Sequence, residues 1–288
     1  GISASYRWAT IYQQLHPLQY SRIQLRRNRP AAIISGNTQN VALLKLSLDD
    51  FQPGTTINIR LDSTPTLSYT TLSSNDSLYL SKTNSGWAFA QPPVATDKNP
   101  LRYGTFKEAF NKRMVFVVGT RGTAEENQAN RNKAIYDAES WYYRGNGAVD
   151  IITDAEYLPS RYAGRNIIIY GNADNNSAWK ILLSESPLQV KRNQLSAGDK
   201  KWTGDNLATY FVWPQKDPAL LVGVIAGTGV KGMKAAYANQ YFAGGSGFPD
   251  FMIFSDQMLK DGAAGVKMAG FFDNNWRLTK DEMASSKN

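Results

Sequence analysis

The spacing of apolar positions changes once along this chain, near residue 100. Before that point apolar and polar residues alternate. Ile57, Ile59 and Leu61 fall on one side, and Thr56, Asn58 and Arg60 on the other. A period of two marks a half-buried strand. Short runs at 21–27, 31–35, 40–46, 55–61, 67–72, 77–81 and 87–90 are rich in Ile, Leu and Thr, and several alternate in this way. Turn residues such as Ser35-Gly36-Asn37, Gln52-Pro53-Gly54 and Asn84-Ser85-Gly86 separate them. Strands of this length and spacing predict a small β-sandwich over residues 1–100. The segment before them, 5–20, holds Tyr6, Trp8, Tyr12 and Tyr20 and reads as a strap that packs aromatics onto a neighbour. Pro92, Pro93 and Pro100 break regular structure, so 91–103 reads as a linker.

Beyond the linker the pattern is that of alternating strands and helices. Met114-Val115-Phe116-Val117-Val118 is continuously apolar, as expected of a strand buried on both faces. It runs into Gly119-Thr120-Arg121-Gly122-Thr123 and then a long helix over 124–143. Thr123 is a suitable N-cap, Glu125 and Glu126 suit the first turn, and Gly145-Asn146-Gly147 ends the helix. The motif recurs: strand 149–152; strand 166–170 with a helix near 174–183; strand 220–226 with a helix near 231–242; and last strands at 251–254 and 266–271. This predicts a Rossmann-like or flavodoxin-like three-layer α/β domain with a mostly parallel sheet over 101–288. The stretch 188–214 fits less well and reads as a hairpin excursion with a short helix over 204–210. The Lys/Ser-rich tail 280–288 reads as loose.

In such a sheet, ligands bind at the carboxyl ends of the strands, where helix N-termini gather. Three glycine loops are candidates. The first is Gly119, Thr120, Arg121, Gly122 and Thr123; the second contains Gly171, Asn172 and Asp174; the third contains Gly227, Thr228, Gly229 and Lys231. Free backbone amides there suit a small anionic or sugar ligand, with Arg121 and Lys231 adding charge. Asp174 could also be a helix N-cap. Gly227, Gly229 and Gly232 match G-x-G-x-x-G, but late in the domain, and Asp250 precedes the next strand instead of ending it. Tight turns and close helix–sheet packing account for these glycines better than a dinucleotide does, and no cofactor is expected.

Composition narrows the chemistry. The chain has 288 residues, 42% of them hydrophobic and 19% charged, which is enough to bury a core. Its net charge of +8 comes without a nucleic-acid reading motif, and Arg22, Arg26, Arg27 and Arg29 read as the solvated side of a strand, so no nucleic-acid partner is expected. No cysteine is present, which excludes disulfides, thiolate nucleophiles and Cys-based zinc sites. No apolar run approaches the length of a membrane span, and no signal peptide is visible. The start Gly1-Ile2-Ser3 lacks an initiator Met, which points to processing or trimming and leaves open what precedes residue 1.

The single histidine, His16, lies in the aromatic segment outside the α/β domain, whereas a serine triad needs one beside its nucleophile. Gly244-Gly245-Ser246-Gly247-Phe248 misses the nucleophile elbow by its final residue and follows a helix. Asp137 and Glu139 are two apart on a helix and do not face each other. No loop has regular metal-ligand spacing. No catalytic residue and no metal ligand is expected.

Several phrases are distinctive: Val117-Val118-Gly119-Thr120-Arg121-Gly122-Thr123-Ala124-Glu125-Glu126-Asn127, Tyr136-Asp137-Ala138-Glu139, Tyr143-Arg144-Gly145-Asn146-Gly147, Ile169-Tyr170-Gly171-Asn172, Ala226-Gly227-Thr228-Gly229, Phe248-Pro249-Asp250 and Ala269-Gly270-Phe271-Phe272. Over residues 100–276 they resemble the C-terminal region of large prolyl-oligopeptidase-like esterases or peptidases of Bacteroidetes and Planctomycetes. In that family the α/β-hydrolase catalytic module lies upstream. The resemblance implies an accessory module of a secreted or periplasmic bacterial hydrolase, with the upstream module of the same polypeptide as its partner. It transfers no catalytic residue, because no matching position exists here. The rival expectation is a stand-alone enzyme or binding protein that uses the glycine loops for a phosphorylated or carbohydrate ligand.

Overall fold

In the computed structural model, which describes residues 3–245 and 247–285, the alternation at 56–61 has its expected consequence. Ile57, Ile59 and Leu61 are buried, while Thr56 and Arg60 are exposed. The chain divides after Val94 into two compact units. Strands take 39% of the residues and helices 16%, so the protein is a β-rich α/β plus β structure.

The first unit has nine strands: β1 (Ser5–Tyr6), β2 (Ala9–Gln13), β3 (Arg22–Asn28), β4 (Ile33–Gln39), β5 (Leu43–Ser47), β6 (Thr56–Leu61), β7 (Leu67–Thr70), β8 (Ser77–Thr83) and β9 (Gly86–Ala90). They form a five-stranded sheet, β1-β2-β5-β8-β9, and a four-stranded sheet, β3-β4-β6-β7. Leu44, Leu46 and Leu80 of the first share one core with Ile34, Ile57 and Ile59 of the second. The aromatic segment is therefore no strap: β2 pairs with β5 inside a sheet, and Tyr6 and Tyr20 are exposed. Nor are all four arginines solvated. Arg22, Arg26 and Arg29 are exposed, but Arg27 stacks over Trp8 at 4.5 Å and pairs with Asp50 at 2.7 Å. Asp62 closes one end of the core. Its carboxylate accepts from the Thr38 amide and hydroxyl, Lys82 Nζ and Trp87 Nε1. Burial alone would raise its pKa, but these hydrogen bonds outweigh burial and hold it down to about 2.

The second unit is built on one eight-stranded sheet. Its strands are β10 (Met114–Val118), β11 (Asp150–Thr153), β12 (Asn166–Tyr170), β16 (Leu207–Pro214), β17 (Leu221–Gly227), β18 (Phe251–Ser255), β19 (Val266–Phe272) and β20 (Leu278–Ser285), with β13 (Leu188–Lys191), β14 (Gln194–Ala197) and β15 (Lys200–Thr203) forming a separate small sheet. The order is β11-β10-β12-β17-β16-β18-β19-β20. The first three pairings are parallel and the remaining four antiparallel. The sheet is thus mixed, not mostly parallel. The helices are α1 (Ala124–Gly145), α2 (Ala178–Leu182), α3 (Val230–Ala235) and α4 (Met258–Asp261). On one face α1 and α3 pack together, and Tyr210 of β16 bonds to the Ala236 carbonyl just beyond α3. Phe211, the next residue, points to the other face and meets Trp179 of α2 at 6.1 Å.

Helix α1 follows its sequence signals: Thr123 and Glu126 form a complete capping box, and Asn146 ends the helix in the left-handed conformation. Elsewhere tertiary packing overrode local reading. The helix expected over 204–210 is a turn at 204–206 followed by the first half of β16, whose Thr-Tyr-Phe-Val-Trp content favours a strand. The helices expected near 174–183 and 231–242 shrink to α2 and α3. Of the tail read as loose, the described part continues β20 as far as Ser285, and 286–288 lie outside the described residues. The segment 95–103 is anchored and not a free linker. Arg102 is fully buried, and its guanidinium donates to the carbonyls of Ala95, Thr96, Gln215, Asp217 and Leu220. Lys98 is also buried, donating to Asp250 at 2.6 Å and to the Phe272 carbonyl at 2.8 Å.

Candidate functional site

Strands β10, β12 and β17 lie side by side and parallel, so the three glycine loops do gather at one end of the sheet. Direct bonds tie them together. The Arg121 amide donates to the Asn175 carbonyl, and Asn172 Nδ2 donates to the Gly227 carbonyl. Convergence alone does not make an anion site. Its donors must point outward and be free.

In the first two loops the donors are taken up by the protein, and in the third those of Thr228 are. In the first loop Asp154 Oδ1 accepts from the Thr120 amide at 3.0 Å and its hydroxyl at 2.6 Å. Asp154 Oδ2 accepts from the Ser177 amide of the second loop at 2.6 Å. The Gly122 amide goes to Asn127 and the Thr123 amide to Glu126. In the second loop the Gly171 amide donates to the Ile225 carbonyl, the Asn172 amide to Asn175 Oδ1, and the Asp174 amide to Asn172 Oδ1. In the third loop the Thr228 amide and hydroxyl both pair with Leu207. The crevice between Asn130, Asn172, Asn175, Gly227, Gly229 and Met233 has no room for a water molecule. A self-supplied carboxylate and a set of buried asparagines fill the place where a ligand would sit.

The charged candidates have other roles. Asp154 is the centre of the arrangement: burial raises its pKa, yet the bonds from Ser177 and Thr120 prevail and hold it below its ordinary value. Asp174 does not cap α2; Ser177 occupies that position, and Asp174 accepts from the Arg192 amide at 2.8 Å. Lys231 pairs with Asp205 at 3.2 Å on the surface, and Arg121 is exposed. Gly227 and Gly232 allow the α3 turn to touch the sheet. A Cβ on Gly232 would lie 2.0 Å from the Leu207 carbonyl oxygen, and one on Gly227 would lie 2.3 Å from the Met233 nitrogen. Glu126, buried, holds the Arg192 guanidinium through both of its oxygens. Ser246 lies outside the described residues.

Two other buried polar groups join elements of the second unit. Lys133 and Asp137 pair on α1 at 2.7 Å, and Asp137 also accepts from the hydroxyls of Tyr170 and Tyr241. The rings of Tyr136, Tyr237 and Tyr241 surround the Lys133 ammonium at 4.9–5.0 Å. Glu139 is exposed on another side of α1. Among the described residues no group of three metal-ligating side chains forms.

The roomier cleft is at the other end of the sheet. It measures about 620 Å³ and is lined by Tyr157, Tyr162, Trp213 and Trp276 with a polar rim. Trp213 pairs with Val222 at the start of β17, which places the cleft at the amino end of the parallel strands. Sequence reading missed it because its walls come from five separate segments: 96–97, the loop after β11, the end of α2, the end of β16, and the turn between β19 and β20. The aromatic residues were the only signal, and nothing local joins them.

No protein-family model matches the chain, and no curated protein matches it.

Proposed function

We propose that the chain is a non-catalytic, ligand-positioning module of a larger bacterial serine hydrolase, an esterase or peptidase that acts in the periplasm or outside the cell. The family resemblance suggests the context. The observation that carries the reading is Asp154: a carboxylate of the chain itself sits where the glycine loops would otherwise receive a phosphate. The loops then serve packing and not phosphoryl or nucleotide chemistry. On this reading the second unit is a Rossmann-like module in three layers, supported by α1 and α3 on one face of the sheet and α2 on the other. The first unit is a β-sandwich, supported by the core its two sheets share.

The test is an ester and dipeptide hydrolysis assay on this chain alone and on the full gene product. The expected result is no turnover by the chain and turnover by a product carrying an upstream nucleophile elbow. Hydrolysis by the chain alone that is lost in Ser246→Ala overturns the proposal, as does a full gene product without a hydrolase module.

A further inference from the structure

We propose that the cleft at the amino end of the parallel strands is a binding site for a neutral carbohydrate. The inference rests on this cleft alone and holds whether or not a hydrolase precedes the chain.

Three features support it. The cleft is the right size for a few sugar rings, at about 620 Å³. Its walls are aromatic. Trp276 is covered by the charges of Lys98 at 5.1 Å and Arg102 at 5.9 Å, which leaves half-buried Trp213 as the indole open to an occupant. The π face of an aromatic ring is electronegative and attracts the electropositive C–H face of a pyranose. Tyr157 and Tyr162 also line the cleft and stack in parallel, 6.0 Å apart and 17° from coplanar.

The second feature is a pair of solvent-accessible phenol hydroxyls. Tyr157 is 6% exposed and Tyr162 8%. Neither hydroxyl has a hydrogen-bond partner among the described residues, and neither is sealed from solvent. Both residues line the cleft, and accessible phenol hydroxyls can donate to and accept from the hydroxyl groups of a ligand.

The third feature is charge balance, which selects the ligand class. Asp97, Glu185 and Asp217 line the cleft and would repel a phosphate or carboxylate ligand. Lys216 stands beside them, and the buried Arg102 guanidinium beneath already interacts with Asp217 and Asp97. These two positive charges offset two of the three carboxylates, so an anion is disfavoured and the net pull on a cation is small. What remains is a rim of both donors and acceptors around an apolar floor. A sugar hydroxyl is both donor and acceptor, and it suits that mixture.

The experiment is isothermal titration of the full chain with maltohexaose, cellohexaose, xylohexaose, chitohexaose and spermine, followed in parallel by tryptophan fluorescence. At least one oligosaccharide should bind saturably at one site. Trp213→Ala and the milder Tyr157→Phe, which keeps the ring and removes only the hydroxyl, should each weaken it by about tenfold. Arg121→Ala, at the opposite end of the sheet, should leave it unchanged. The proposal is overturned if none of the four saccharides binds, if spermine binds in their place, or if Tyr157→Phe binds as well as the parent.

Discussion

Asp154 and Thr120 are joined twice, amide to carboxylate at 3.0 Å and hydroxyl to the same oxygen at 2.6 Å, and this pair closes the carboxyl end of the parallel strands. Asp154 does for the glycine loops what a bound anion does in a nucleotide fold: it satisfies converging donors and holds two loops in register. Replacing it by alanine orphans the Thr120 and Ser177 amides. Asp154→Ala should cost about 2–4 kcal/mol, read as a lower Tm. Inorganic phosphate should raise the Tm of that variant more than that of the parent. Equal phosphate effects on the two proteins would show that the loops do not form an anion cradle.

Asp62 gives the first unit an acid-sensitive latch. Its pKa is about 2 in the folded protein against 3.8 ordinarily, so the unfolded chain takes up the proton first as pH falls. The stabilisation is present above the ordinary value and is lost as pH drops from about 4 to about 2. It amounts to roughly 1–2 kcal/mol, given that the carboxylate is partly exposed. Urea unfolding of the parent and Asp62→Asn across that range should show a shallower pH slope for the variant.

Gly232 is a packing residue. An added methyl would meet the Leu207 backbone oxygen at 2.0 Å, and backbone cannot swing aside. Gly232→Ala should destabilise by more than about 2 kcal/mol. Gly244→Ala, where nothing lies within 4 Å, should stay within about 0.5 kcal/mol. Denaturation midpoints compare the two.

Lys133 and Asp137 are both buried, and burial pulls the Lys133 ammonium below its ordinary pKa while Asp137 opposes the shift. Lys133→Met removes one partner and strands a carboxylate in the core, at a cost of about 3–5 kcal/mol. Adding Asp137→Leu removes the stranded charge but orphans the buried Tyr170 and Tyr241 hydroxyls, so it should recover only part of that loss. A double-mutant cycle by thermal unfolding measures the coupling. Additive losses would show that the pair does not act as a unit.

The sequence by itself determined the elements whose causes are local. The period-two alternation of β6, the apolar runs of β10 and β12, and the capping box at Thr123 and Glu126 are all written in neighbouring residues. The glycine loops were legible too, as was their gathering at one end of a sheet. Only the tertiary structure decided what those loops are for. Thr120 and Ser177 are separated from Asp154 by 34 and 23 residues, and no pattern announces that their donors will be spent on it. Strand direction was equally hidden. An apolar run such as β18 reads the same in either orientation, and its antiparallel place between β16 and β19 follows from which partners bury its two faces. The aromatic cleft was out of reach for the same reason. Its rings come from distant segments, and hydrophobic burial, being non-directional, brings such residues together without leaving a local trace.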